Sequence, residues 1–156
     1  MRLAVGVISD THGLLRPEAV TALSGVSHII HAGDIETPRT LDELRRLAPL
    51  TAVRGNCDGG AWADELPREA VLELGGCRLA VIHNVHDLSM EPQAAGLAVV
   101  ISGHSHIPVC EKRGGVLFLN PGSAGPRRWG KPVSVGRLEI EAGDVYGWIV
   151  GLHIAG

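Results

Sequence analysis

The sequence predicts an α/β protein in which two β-sheets pack face to face with helices on the outside. Three observations carry this prediction. Up to Asp58 short apolar runs alternate with helical stretches; after Asp58 the helical pattern gives way to glycine-turned hairpins; and aromatics make up only 3% of the 156 residues, so Ala, Val, Leu and Ile must fill the core. Several of those residues are β-branched and favour strands.

The runs expected as buried strands are Val5 to Ser9, His28 to His31, Thr51 to Val53, Arg78 to Ile82, Val99 to Ser102 and Val116 to Leu119. Between the first three lie two helices. One opens at Pro17, where a missing amide proton costs nothing, and the other runs from Pro38 to Leu47 with apolar residues at 41, 44 and 47. The first half therefore reads β-α-β-α-β. Leu72 to Leu79, interrupted by Gly75-Gly76, has the composition of a hairpin, and Gly114-Gly115 and Ala142-Gly143 repeat the device. Parallel crossovers followed by hairpins call for two sheets, since helices must cover the outer faces. No repeat, linker or low-complexity stretch divides residues 1–156, which are expected to form one domain.

Composition narrows the function. With 45% hydrophobic and 20% charged residues the chain is expected to fold without disulfides or a structural metal. A net charge of −3 with no Lys/Arg run disfavours duplex nucleic acid. The apolar residues 1–9 lack a small-residue cleavage site and are too short to span a bilayer, so they read as a first strand of a cytoplasmic protein with no membrane partner. Cys57, Cys77 and Cys110 have no C-x-x-C spacing and read as free thiols, which fits that compartment.

Residues able to bind metal stand just past the apolar runs: Asp10 and His12, Asp34, Asn56, His83, then His104 and His106. Carboxyl ends of strands in open α/β sheets form the ligand crevice, so residues far apart in the chain can meet there. Each alone has an ordinary explanation: Asp34 after Gly33 is turn chemistry, and a single His83 is a hydrogen-bonded core histidine. Seven such residues at strand ends in one small chain make coincidence the weaker account.

The ordered set Asp10-Thr11-His12, His31-Ala32-Gly33-Asp34, Arg54-Gly55-Asn56-Cys57-Asp58, Ile82-His83, Gly103-His104-Ser105-His106 and Asn120-Pro121-Gly122-Ser123 closely resembles the calcineurin-like metallophosphoesterase superfamily. Within it the small bacterial and archaeal phosphodiesterase branch is most similar, over residues 1 to about 140. The resemblance implies a four-layer α/β/β/α sandwich with two mixed sheets and a dinuclear metal centre at one sheet edge. It also implies that Asp10, His12 and His106 hold one ion, Asn56, His83 and His104 the other, and that Asp34 bridges them. Physical chemistry agrees: two dications about 3.5–4 Å apart need an anionic bridge. With neutral imidazoles, two carboxylates leave such a pair at a net charge of about +2, which attracts an anionic substrate. A water between the ions is acidified to a hydroxide nucleophile for in-line attack on phosphorus. Asp34, Asn56 and His83 would thus serve catalysis through the ions. Mixed imidazole, carboxylate and amide donors suit manganese, iron, nickel or zinc rather than calcium, and the resemblance favours manganese.

The chain departs from the wider pattern at two places. Many superfamily members carry histidine after Gly-Asn, as an acid for the leaving group; Cys57 stands here, as in the small phosphodiesterase branch, and reads equally as a group facing substrate or as a small buried hydrophobe. His-Gly-His is replaced by His83-Asn84-Val85-His86, so His86 is either an acid near the substrate or, more simply, a solvated loop histidine. Asp58 either orients a ligand or closes a turn before Gly59-Gly60. Arg127 and Arg128 suit bidentate phosphate binding, although exposed arginines need no such role. His31 reads as structural, and Asn120 to Ser123 as a turn.

Two functions compete. The first is hydrolysis of a small phosphodiester, with phosphomonoesters as near neighbours and nucleic acid disfavoured except as a small nucleotide. The second is a scaffold that recruits a protein partner, as a related retromer subunit does. All seven expected ligands are present, which favours the enzyme. Homo-oligomerisation is compatible with the sequence.

Overall fold

The structure, a computed structural model, describes residues 2–128 and 130–154. Five strands form each of two sheets. The first half builds β1 (Arg2–Ile8), α1 (Pro17–Ala22), β2 (His28–His31), α2 (Pro38–Arg45) and β3 (Leu50–Ala52), the expected alternation, with both helices opening on proline after an extended residue. A short α3 (Ala61–Asp64), which no periodicity announces, follows the Gly59-Gly60 turn. The three anticipated hairpins are β4 (Glu69–Leu74) with β5 (Cys77–Ile82), β7 (Val109–Arg113) with β8 (Val116–Asn120), and β9 (Ser134–Glu141) with β10 (Asp144–Gly151). β6 (Val99–Ile101) lies between β5 and β8.

The sheet orders are β10-β9-β1-β2-β3 and β4-β5-β6-β8-β7. β1, β2 and β3 run parallel, as do β5, β6 and β8, and antiparallel strands complete each sheet. Local patterning did not reveal that the last hairpin returns to the first sheet, pairing β9 along β1. Val5, Val7 and Ile30 of one sheet, with Val53 just past β3, meet Leu79, Val81, Ile101 and Leu119 of the other in a shared core. On the outer face of the first sheet, α1 and α2 bury Ala19, Leu23 and Leu44 against Ile8 and Ile29. The fourth layer is thin: a 3-10 turn at Val85–Asp87 and hydrogen-bonded turns through 92–96 cover Ala80, Val100 and Val116. Together these give the four-layer α/β/β/α sandwich. No helix among the described residues is long and apolar enough to cross a membrane.

Candidate metal centre

Both parallel triplets end at one edge of the sandwich, and each strand end there delivers a polar residue. Asp10 follows β1, Asp34 follows β2, Asn56 follows β3, His83 follows β5, and His104 and His106 follow β6. Past the strands the loops stay zipped: the amides of Asp10, His12 and Gly13 donate to the carbonyls of Gly33, Asp34 and Ile35, and the Gly103 amide donates to the His83 carbonyl. All seven expected ligands therefore meet.

Their geometry suits cations. One group contains Asp10, His12 and His106, and another Asp10, Asp34 and His83, with the ligand atoms of each group within 4.8 Å of one another. Asp10 is fully buried; Ser9 Oγ and the His104 amide donate to its Oδ2, while Oδ1 has no partner and faces His106 Nε2 at 3.3 Å. His12 and His106 bring their Nε2 atoms to 3.3 Å, and His12 is oriented because its Nδ1 is held by Glu36 Oε2 at 2.7 Å. His83 donates Nδ1–H to the Ala32 carbonyl, so its buried Nε2 presents a lone pair 3.1 Å from Asp34 Oδ2. Asn56 Oδ1 and His104 Nδ1 lie 3.2 Å apart on the exposed side. Lone pairs that face one another at such distances repel unless a proton or a cation lies between them, so these residues fit metal ions.

Local backbone strain marks the same residues. Asp10, His12, Asp34, His104 and His106 all have positive φ, between 48° and 74°. For residues bearing a Cβ this costs about 1–2 kcal/mol each and is kept where the surroundings and the function require it. The neighbouring glycines are needed for close approach. A Cβ on Gly55 would stand 2.2 Å from Asp34 Oδ1, and one on Gly103 would stand 2.1 Å from Ser9 Oγ.

The electrostatics follow from burial and pairing. Burial opposes the Asp34 charge, but the contact with His83 and the Cys57 amide outweigh it and hold the carboxyl at about 2. Burial works against protonation of His83, yet the carboxylates of Asp34 and Asp10 raise its pKa. His31 is wholly buried and its pKa is pushed down to about 4 by that burial. Gly33 N–H donates to its Nδ1, so the opposite nitrogen serves Thr11 Oγ1, which ties two ligand loops together.

The remaining expected residues fall in different places. The Asp58 carboxylate accepts the amides of Asp34, Ile35, Glu36 and Gly55 at 2.8–3.0 Å, so it anchors the loops and has no lone pair left for a substrate. Arg127 is exposed and lines a separate depression with Lys131, Pro132 and His153, and Ser123 Oγ donates to the Pro126 carbonyl just before it. His86 is exposed on the wall of a cleft beside His104. Cys57 is exposed rather than core, and its thiol pKa is raised by burial and by Asp34. Asn120 to Ser123 buttress the ligand loops: Asn120 Nδ2 donates to the Gly103 carbonyl and Ser123 Oγ to the Asp10 carbonyl. Sequence reasoning missed Ser9 and Glu36, which fix Asp10 and His12 through contacts no spacing rule encodes.

A family model for the calcineurin-like phosphoesterase superfamily domain matches residues 3–143. The chain belongs to the calcineurin-like phosphoesterase superfamily. A probable metallophosphoesterase of Methanothermobacter thermautotrophicus is 37% identical over 155 residues, covering 91% of this chain and 90% of its own. Phosphodiesterase YfcE of Escherichia coli K12 is 32% identical over 159 residues, covering 84% of each chain. Among solved structures, a novel archaeal phosphodiesterase superposes with a TM-score of 0.79 at 26% identity, covering 95% of this chain and all of that one. Vps29 of Chaetomium thermophilum superposes at 0.78 with 21% identity over 96% and 97% of the two chains, a likeness of fold alone. The family is metal-dependent and its relatives are named as phosphoesterases, which makes this chain a metal-binding hydrolase by membership.

Proposed function

We propose that the protein hydrolyses small phosphodiesters with two divalent cations, manganese by preference and nickel, iron or zinc as substitutes, in the cytoplasm and as a single domain. Asp10, His12 and His106 would hold one ion, Asn56, His83 and His104 the other, and Asp34 both. When bound, the ions supply an acidified water and a field that stabilises charge on the phosphoryl oxygens. The chain's part is to orient: Glu36 and the Ala32 carbonyl turn the imidazoles of His12 and His83, and Asp58 holds the loops that carry Asp34 and Asn56.

One observation favours diesters. Two clefts, of about 400 and 370 Å³, diverge from Asn84 and His104. One runs past His86, Val109 and Phe118, the other past Arg54, Arg68 and the donors Asn56 and His83. A diester has two substituents on phosphorus and fills both; a monoester leaves one empty. His86, on the wall of the first cleft, would face the first substituent. The test is turnover of p-nitrophenyl phosphate against bis(p-nitrophenyl) phosphate by the manganese-loaded protein. A higher kcat/KM for the diester is expected, and monoester preference reverses the reading. Stoichiometric metal without turnover of either would favour a scaffold.

A further inference from the structure

We propose that Cys57 is an additional metal ligand, so that thiophilic cations are bound through sulfur beside His12 and Asp34 while manganese is not. The inference rests on the metal-centre reading and extends it to a residue outside the seven ligands.

The ligand atoms of His12, Asp34 and Cys57 all lie within 4.8 Å of one another, a third group sharing donors with the other two. At a tetrahedral zinc-like ion with bonds of about 2.0–2.3 Å, neighbouring donors sit roughly 3–4 Å apart, a change that a small rotation of the cysteine side chain supplies. The backbone at Cys57 is already fixed, since its amide donates to Asp34 Oδ1 at 2.8 Å. Its side chain is exposed, so no packing demand explains a thiol there. A buried acceptor without a partner stands beside the same imidazole. Asp10 Oδ1 is fully buried, has no hydrogen-bond partner, and stands 3.8 Å from His12 Nε2.

Ligand softness makes the consequence selective. Thiolate adds strong bonding to zinc, cadmium or cobalt and little to manganese, which prefers oxygen and nitrogen donors. Binding replaces the S–H bond by a sulfur–metal bond and releases one proton to solvent, with no change of oxidation state. Cys57 would thereby set which ion the centre keeps when several compete.

Cobalt titration of metal-free protein tests this without relying on activity. Two cobalt ions per chain, with visible d–d bands, report the dinuclear centre; a sulfur-to-cobalt charge-transfer band in the near ultraviolet reports Cys57. The charge-transfer band is expected in the parent protein and in Cys110→Ser, and is expected to vanish in Cys57→Ser while the d–d bands persist. Cadmium affinity should fall at least about tenfold in Cys57→Ser, with manganese affinity changed by less than about threefold. Two bound cobalt ions with no charge-transfer band, or a band unchanged in Cys57→Ser, overturns the proposal and leaves the dinuclear reading intact. Failure of the parent protein to bind cobalt overturns both.

Discussion

Replacing Asp58 by asparagine changes one oxygen to an amide and should loosen the centre without touching any metal donor. In the parent protein Oδ2 accepts the amides of Asp34 and Gly55, and Oδ1 those of Ile35 and Glu36. The residue is 6% exposed, so water cannot replace it. Asparagine keeps one oxygen; whichever way it turns, its NH2 group faces two amide donors and leaves both unpaired. Hydrogen bonds to a charged acceptor contribute about 1.5–3 kcal/mol, and the retained pair also weakens when the charge is lost, so a destabilisation of about 3–5 kcal/mol is expected. For a chain of this length that corresponds to a fall in Tm of about 6–20 °C. The assay is thermal unfolding of metal-free protein, paired with manganese titration of the folded variant. Manganese affinity should drop about 10–100-fold, as for other groups that orient metal ligands. A Tm within about 2 °C of the parent, with undiminished manganese affinity, would refute the anchoring role.

Three further outcomes follow from the same geometry. Asp34→Asn should lower the content of both ions, because it removes the charge shared between them, whereas His86→Ala should leave metal content intact; metal analysis of the two purified variants decides. Gly103→Ala would set a methyl group 2.1 Å from Ser9 Oγ and 2.6 Å from Asp10 Oδ2, and should cost about 1–3 kcal/mol in denaturant unfolding together with metal bound at Asp10. His31 has a folded pKa of about 4, below its ordinary 6.5, so the unfolded chain takes up the proton first and stability falls as pH drops through that window. Between pH 7 and pH 5 the loss from His31 is about 2 kcal/mol, read as the difference in pH dependence between parent and His31→Gln, both metal-free. His83, whose pKa is raised, contributes stability that is lost as pH rises, and Asp34 acts only below about pH 4; both are common to the two proteins and cancel.

The sequence by itself determined the elements and marked the residues proposed as donors. Short apolar runs, prolines at helix starts and glycine-bearing turns are local signals, and they located the neighbourhoods of all ten described strands and both longer helices because each depends on residues close in the chain. The seven proposed donors were legible for a related reason: a polar residue capable of binding metal, placed directly after a buried strand, is visible without knowing where the strand goes. Tertiary structure decided what those donors touch. Pairing of β9 with β1 joins residues 129 to 139 apart, and the contacts of Glu36 with His12, the His104 amide with Asp10, and Asp58 with four amides arise only once separate loops are packed at one edge. Arg127 shows the same limit in reverse. Its chemistry suits phosphate, but it lines a depression whose walls include none of the seven expected donors, and no local pattern in the sequence encodes which hollow a residue after a turn will border.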